Sequence, residues 1–135
     1  MSNYHNMRAL ISSFSGQDRM ITVPRIYIEL VGEYPAAALL NQIVFWSDKS
    51  KRKDGFFYKT YKEWEEELAL SEYQVRRCVK QLEEKGVVET KLKKANGSPT
   101  LHYKLDHKAL EHWLLKELKN GNQRNSRIFN SRLQQ

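Results

Sequence analysis

Apolar residues recur along this chain at two different periods, and each change of period marks an element. The first clear one is 24–31 (PRIYIELV). Pro24 suits a first helical position, Ile26 and Leu30 share a face, and Gly32 can take the left-handed conformation that ends a helix. A second helix is predicted from residue 35 to about 46, with Leu39, Leu40, Ile43 and Trp46 at core spacing. It fades into the polar run 47–54, which ends in Asp-Gly and reads as a loop. Residues 55–59 (GFFYK) read as a short aromatic strand.

Two helix starts of the same chemistry follow. Thr60 has Glu63 three residues on, and Ser71 has Gln74. In each pair the hydroxyl and the later side chain can satisfy exposed backbone N–H groups. Leu70 and Val75 occupy the positions of a hydrophobic staple around the second start. Helices are therefore predicted over 61–69 and 72–85, with only Leu70 and Ser71 between them, and Gly86 ends the second. Residues 87–92 read as a strand. In a further strand Leu101, Tyr103 and Leu105 alternate with His102 and Lys104. The KKANGSP segment between them carries Asn96-Gly97, a strong hairpin signal. Asp106 can cap a last helix over 107–119, with Leu110, Trp113, Leu114 and Leu118 on one face.

Helix, short strand, helix, turn, helix, hairpin is the connectivity of a winged helix-turn-helix, a mainly α fold with a small β-hairpin (α+β). Residues 1–20, rich in Ser and Asn with little periodicity, read as a flexible arm. Residues 21–119 read as the domain, and 120–135 as a loose basic tail with Arg124, Arg127 and Arg132 and no acid. A length of 135 residues fits one domain with one modest core. The N-terminus has no signal-peptide core, and no apolar stretch is long enough to span a bilayer, so a cytoplasmic setting is expected.

Charge changes this picture from a fold to a candidate interface. With 23 Lys+Arg against 16 Asp+Glu, the net charge is +7, which makes a polyanion a plausible partner if the charge lies where such a fold needs it. In the helix 72–85, Val75, Cys78, Val79 and Leu82 form a core stripe, while Tyr73, Gln74, Arg76, Arg77 and Lys80 project away from it. A major groove admits one helix; there Arg can pair with guanine and Gln with adenine, and Lys80 suits phosphate. On an isolated helix these residues would read as a solvated face. The capped helix before and the basic hairpin after turn the reading toward double-stranded DNA. The hairpin contributes Lys91, Lys93, Lys94 and Asn96, and Lys59, Tyr61 and Lys62 could clamp the sugar-phosphate backbone. Glu63, Glu65, Glu66 and Glu67 should face away from DNA or toward a partner.

Other chemistries find no support. The single cysteine, Cys78, excludes an intramolecular disulfide and falls on the apolar stripe as a packing residue. His5, His102, His107 and His112 do not form a compact ligand set, so no metal is expected. No phosphate-cradling glycine loop and no nucleophile motif occurs; no enzyme and no cofactor are expected. Trp46, Trp64 and Trp113 fall on core faces.

The segments VPRIYIELVG (23–32), AAALLNQIVFWSDK (36–49), DGFFYKTYKEWEEELALSEYQVRRCVKQLEEKG (54–86) and TKLKKANGSPTLHYKL (90–105) together resemble the N-terminal winged-helix domain of phage and plasmid replication-initiation proteins of the replisome-organiser type. The resemblance implies origin-DNA binding by the helix 72–85, with Arg76, Arg77, Lys80, Lys93 and Lys94 carrying contacts. It also implies helicase-loading proteins as partners. Such initiators usually continue into a further domain, so this chain corresponds to their DNA-binding part or to a stand-alone relative. A transcriptional regulator of the same fold is the alternative function. From another class comes an interaction adaptor using the helix after Asp106; the 107–119 stripe must bury either on the domain's own core or across a two-fold axis, with a homodimer the preferred expectation.

Overall fold

The computed structural model describes residues 2–15 and 20–133, with side chains described as far as 121 except that of Ser15. It contains α1 (Asn3–Ser15), α2 (Arg25–Val31), α3 (Tyr34–Lys49), β1 (Phe57–Tyr58), α4 (Tyr61–Leu68), α5 (Glu72–Glu84), β2 (Val88–Ala95), β3 (Ser98–Leu105) and α6 (His107–Leu133). The strands form one antiparallel sheet in the order β1-β3-β2, so the short strand pairs with the far arm of the hairpin. This is a winged helix: α3, α4 and α5 make the helical unit, and β2 and β3 make the wing.

Local chemistry sets the boundaries. Both capping boxes form: Thr60 Oγ1 accepts from the Glu63 N–H and Ser71 Oγ from the Gln74 N–H, while the Glu63 and Gln74 side chains accept from the N–H groups of Thr60 and Ser71. α4 ends at Ala69, whose φ of 58° is left-handed without the help of glycine. That conformation turns the chain sharply, so that Leu70 is buried beside Val75 and α5 can begin two residues later. Asn96 and Gly97, at φ 53° and 81°, make the two-residue hairpin turn whose twist matches its strands.

The core is built around α3, which buries Ala36, Ala37, Leu39, Leu40 and Ile43. The stripe of α5 (Val75, Cys78, Val79, Leu82) packs onto it. Trp64 of α4 stands edge-on to Tyr103 of β3, centroids 5.6 Å apart, and its Nε1–H donates to the Tyr103 hydroxyl at 3.2 Å. Phe57 stacks on Tyr103 from the neighbouring strand at 5.7 Å. These rings fasten the sheet to the helical unit, each pair adding about 0.5–1.5 kcal/mol beyond its buried area. Burial pushes the Tyr103 hydroxyl up to about 12, so it stays a neutral donor and acceptor.

Four expectations change here. The stretch read as a flexible arm is largely helical: Ser2 Oγ accepts from the His5 N–H and Arg8 donates to the Tyr4 hydroxyl one turn on, so α1 forms despite its polar composition. Residues 1 and 16–19 of that arm lie outside the described residues. The last helix does not stop near 119 but continues to Leu133, because no proline interrupts it and Gly121 is tolerated inside it. The side chains of Arg124, Arg127 and Arg132 lie outside the described residues. The strand after α5 also runs on, from Val88 to the turn.

The fourth concerns the 107–119 stripe. Leu110 is buried, and Trp113 and Leu114 pack on the core where α6 crosses α2. The Trp113 Nε1–H donates to the Lys85 carbonyl at 3.1 Å, and Asp106 Oδ1 accepts from the Ala109 N–H as the expected cap. Most of the stripe thus packs inside its own domain, and Leu118 is half exposed.

Candidate nucleic-acid interface

The outward residues of α5 fall on two faces. Tyr73, Arg76 and Lys80, spaced i, i+3 and i+7, form one exposed line, with Tyr73 76% exposed. Arg76 is held at the edge of this line, its guanidinium carbon 5.2 Å from the Tyr61 ring centroid and Nη2 3.3 Å from Glu72 Oε2. With its side chain 63% exposed, it keeps donors toward solvent. Among the described residues Lys80 makes no ion pair.

Arg77 belongs to the other face and is a correction. Its Nη1 donates to both carboxylate oxygens of Glu33, at 2.8 and 2.9 Å, just ahead of α3. Gln81 and the Cys78 thiol approach the same carboxylate. Burial alone would raise the Glu33 carboxyl, but hydrogen bonds from Arg77 and Gln81 outweigh it and hold the group below its ordinary value. Arg77 thus ties α5 to the start of α3 through Nη1, which draws its guanidinium toward Glu33 and away from the Tyr73–Arg76–Lys80 line. Gln74 is likewise committed in part, because its Oε1 accepts from the Ser71 N–H at 2.9 Å; its amide NH₂ keeps its donors.

Lys59 is the second correction. It is 8% exposed, with Nζ 3.5 Å from the Trp46 ring centroid and 2.5 Å from Glu67 Oε2. Glu67 also accepts from Gln42 Nε2 at 2.8 Å and Trp46 Nε1 at 2.7 Å, which satisfies the whole cluster. Burial pushes the Glu67 carboxyl up, and these three donors more than reverse it, leaving it lowered. A lysine so enclosed cannot clamp phosphate. Glu67 accordingly faces this cluster rather than solvent or a partner.

The hairpin register sorts the remaining lysines. Side chains alternate across a strand. Thr90, Leu92 and Lys94 therefore share the inner face with Leu101 and Tyr103, whereas Lys91 and Lys93 share the outer face with His102 and Lys104. Lys93 stands 3.8 Å from Asp54, which also holds Arg52 at 3.0 Å, and these hydrogen bonds and charges bring the Asp54 carboxyl down to about 2. Lys94 is exposed and, among the described residues, makes no ion pair. Asn96 sits exposed at the tip.

Between wing and α5 lies an open cleft of about 430 Å³, lined by Lys59, Thr60 and Tyr61 at the α4 start, Arg76 of α5, and Leu92, Pro99, Thr100 and Leu101 of the hairpin. Of the residues singled out in the sequence, Tyr61, Arg76 and Lys59 line this cleft, Lys59 with its ammonium held by Glu67; Tyr73 and Lys80 are exposed on α5, Lys94 and Asn96 are exposed on the hairpin, and Arg77 is bound to Glu33. Leu92, 69% exposed on this face, went unnoticed in the sequence. Strand alternation from Val88 carried the signal, since it places position 92 beside Lys94. Among the described residues no three His, Cys, Asp or Glu side chains are grouped to hold a metal ion, and no helix is long and apolar enough to cross a membrane. His102 is buried, and its Nδ1 hydrogen-bonds the Thr100 carbonyl.

No family model and no curated protein matches this chain. Among solved structures, one that resembles it in shape is a possible transcriptional regulator from Methanosarcina mazei Go1. The two are 16% identical and superpose over 79% of this chain and 85% of that one, with a TM-score of 0.49.

Proposed function

We propose that this chain binds double-stranded DNA, with α5 in the major groove and the wing against the adjoining backbone. The observation that carries this reading is that α5 and the wing face one open cleft, lined by Arg76 from one side and Leu92 from the other, with Tyr73 and Lys80 exposed along α5 and Lys94 and Asn96 exposed on the hairpin. Donors from two elements, placed at the N-terminal half of an exposed helix, suit base edges and phosphates together. Tyr61, at the α4 start, supplies a hydroxyl toward the sugar-phosphate backbone. In this reading Arg76 pairs with a guanine, Lys80 and Lys94 meet phosphates, and Leu92 offers an apolar contact to sugar or thymine methyl.

The resemblance of segments 23–32, 36–49, 54–86 and 90–105 to replisome-organiser proteins supports a finer reading, binding at a phage or plasmid replication origin with helicase-loading proteins as later partners. Selection of bound duplexes from random DNA tests both levels. A recovered consensus that Arg76→Ala loses supports sequence reading by α5. Several close copies of that consensus near the encoding gene support the origin reading, and a single palindrome over a promoter supports transcriptional control instead. Recovery of unrelated duplexes by the folded protein would overturn sequence-specific binding.

A further inference from the structure

The outer face of the wing has its own chemistry, pointing away from the cleft. Lys91, Lys93 and Lys104 gather around the ring of Phe56, their Nζ atoms 4.9, 5.5 and 5.7 Å from its centroid. Their stems leave Phe56 only 3% exposed, and Lys104 lies across Gly55, where a Cβ would stand 3.3 Å from Lys104 Cε. Arg52 extends this cluster through Asp54, and Glu89 faces Lys104 across the strands. Next to it is an aromatic platform. Tyr58 pairs with His102, and His102 with Lys91, so the three side chains form one row across the sheet. His102 is 1% exposed under this cover, the Tyr58 ring tilts over it at 5.4 Å, and Tyr58 itself remains 39% exposed.

We infer that this outer sheet face, Tyr58 with Lys91, Lys93 and Lys104, is a second nucleic-acid site that takes single-stranded DNA. An exposed ring set among ammonium groups on an open sheet gives one base a stacking partner and the flanking phosphates their counter-charges. A duplex hides its base faces and could use only the lysines, so the aromatic row favours an unpaired strand. The choice of DNA over RNA rests on the duplex reading above; the strand-binding geometry does not, because it uses the opposite face of the hairpin. A buried histidine beneath Tyr58 fixes the ring's seat: His102 Nδ1–H donates to Thr100 O at 2.9 Å, which locks the imidazole in place.

Fluorescence anisotropy of the full chain tests this, using a labelled thymidine strand of about 15 nucleotides, a uridine strand and a duplex of equal length. Tyr58→Leu, which still covers His102, is expected to weaken strand binding by about tenfold, and Tyr58→Trp to restore it, with duplex affinity changed less than about twofold. Lys91→Met, Lys93→Met and Lys104→Met together keep the cover on Phe56 and should lower the salt slope for the strand by about 2. Thermal melting of each variant verifies that it is folded. A strand that fails to bind while the duplex binds overturns this inference and leaves the duplex reading standing. Equal losses for strand and duplex place both on one footprint and overturn it as well. Preference for the uridine strand by tenfold or more would assign the face to RNA and contradict the DNA choice. Failure of the duplex alone, with strand binding intact, overturns the duplex reading instead.

Discussion

Arg76 and Arg77 are neighbours in sequence with opposite fates, and the difference is one of 100° around a helix. Arg76 leans on Tyr61 at the cleft, whereas Arg77 holds Glu33 from the far side of α5. Replacing Arg76 by Ala should therefore weaken duplex binding by about 1–3 kcal/mol with little change in melting temperature. Arg77→Ala should do the reverse, lowering the melting temperature while a duplex titration of the folded protein stays close to wild type. The Lys59–Glu67 pair makes a pH prediction. The Glu67 carboxyl lies below its ordinary value in the folded chain, so its contribution is full above the unfolded value of 4.5 and is lost as pH falls through the lowered folded one. Glu67→Gln should flatten the acid side of the stability curve measured by urea unfolding below pH 4.5.

At the level of elements, what was legible in the sequence was local. The capping boxes at Thr60 and Ser71, the Asn96-Gly97 turn and the Asp106 cap each involve partners within three residues, and each forms where the spacing places it. What was not legible depends on distance along the chain. Arg77 meets Glu33 from 44 residues away, and Trp46 reaches Glu67 across 21; neither pairing leaves a mark in periodicity. The α6 stripe was visible as a stripe, but its destination on α2 depended on how the domain closes. Basic residues in β2 were visible too, yet their separation into two faces follows from register. That separation is testable: Lys94→Ala should lower duplex affinity and reduce the salt slope by about 1, whereas Lys93→Ala should leave the duplex almost unaffected. For the caps, Ser71→Ala should destabilise the domain by about 1 kcal/mol in chemical unfolding, since it frees the Gln74 N–H.

For the molecule as a whole, the proposed duplex contact needs the wing held fixed relative to α5. α3 and the Trp64–Tyr103–Phe57 group fix the wing relative to α5, so the cleft exists before any partner arrives. Trp64→Ala should therefore remove about 3–5 kcal/mol of stability and abolish binding through loss of the fold. The most direct test of the central claim is an amide chemical-shift titration of the isotope-labelled chain with a selected duplex. The account predicts the largest shifts at Tyr73, Arg76 and Lys80, at Lys94 to Gly97, and at Thr60 and Tyr61, with α2 and the α6 contact around Trp113 undisturbed. Shifts concentrated on α2 and α6, with α5 and the wing unmoved at saturating duplex, would contradict it.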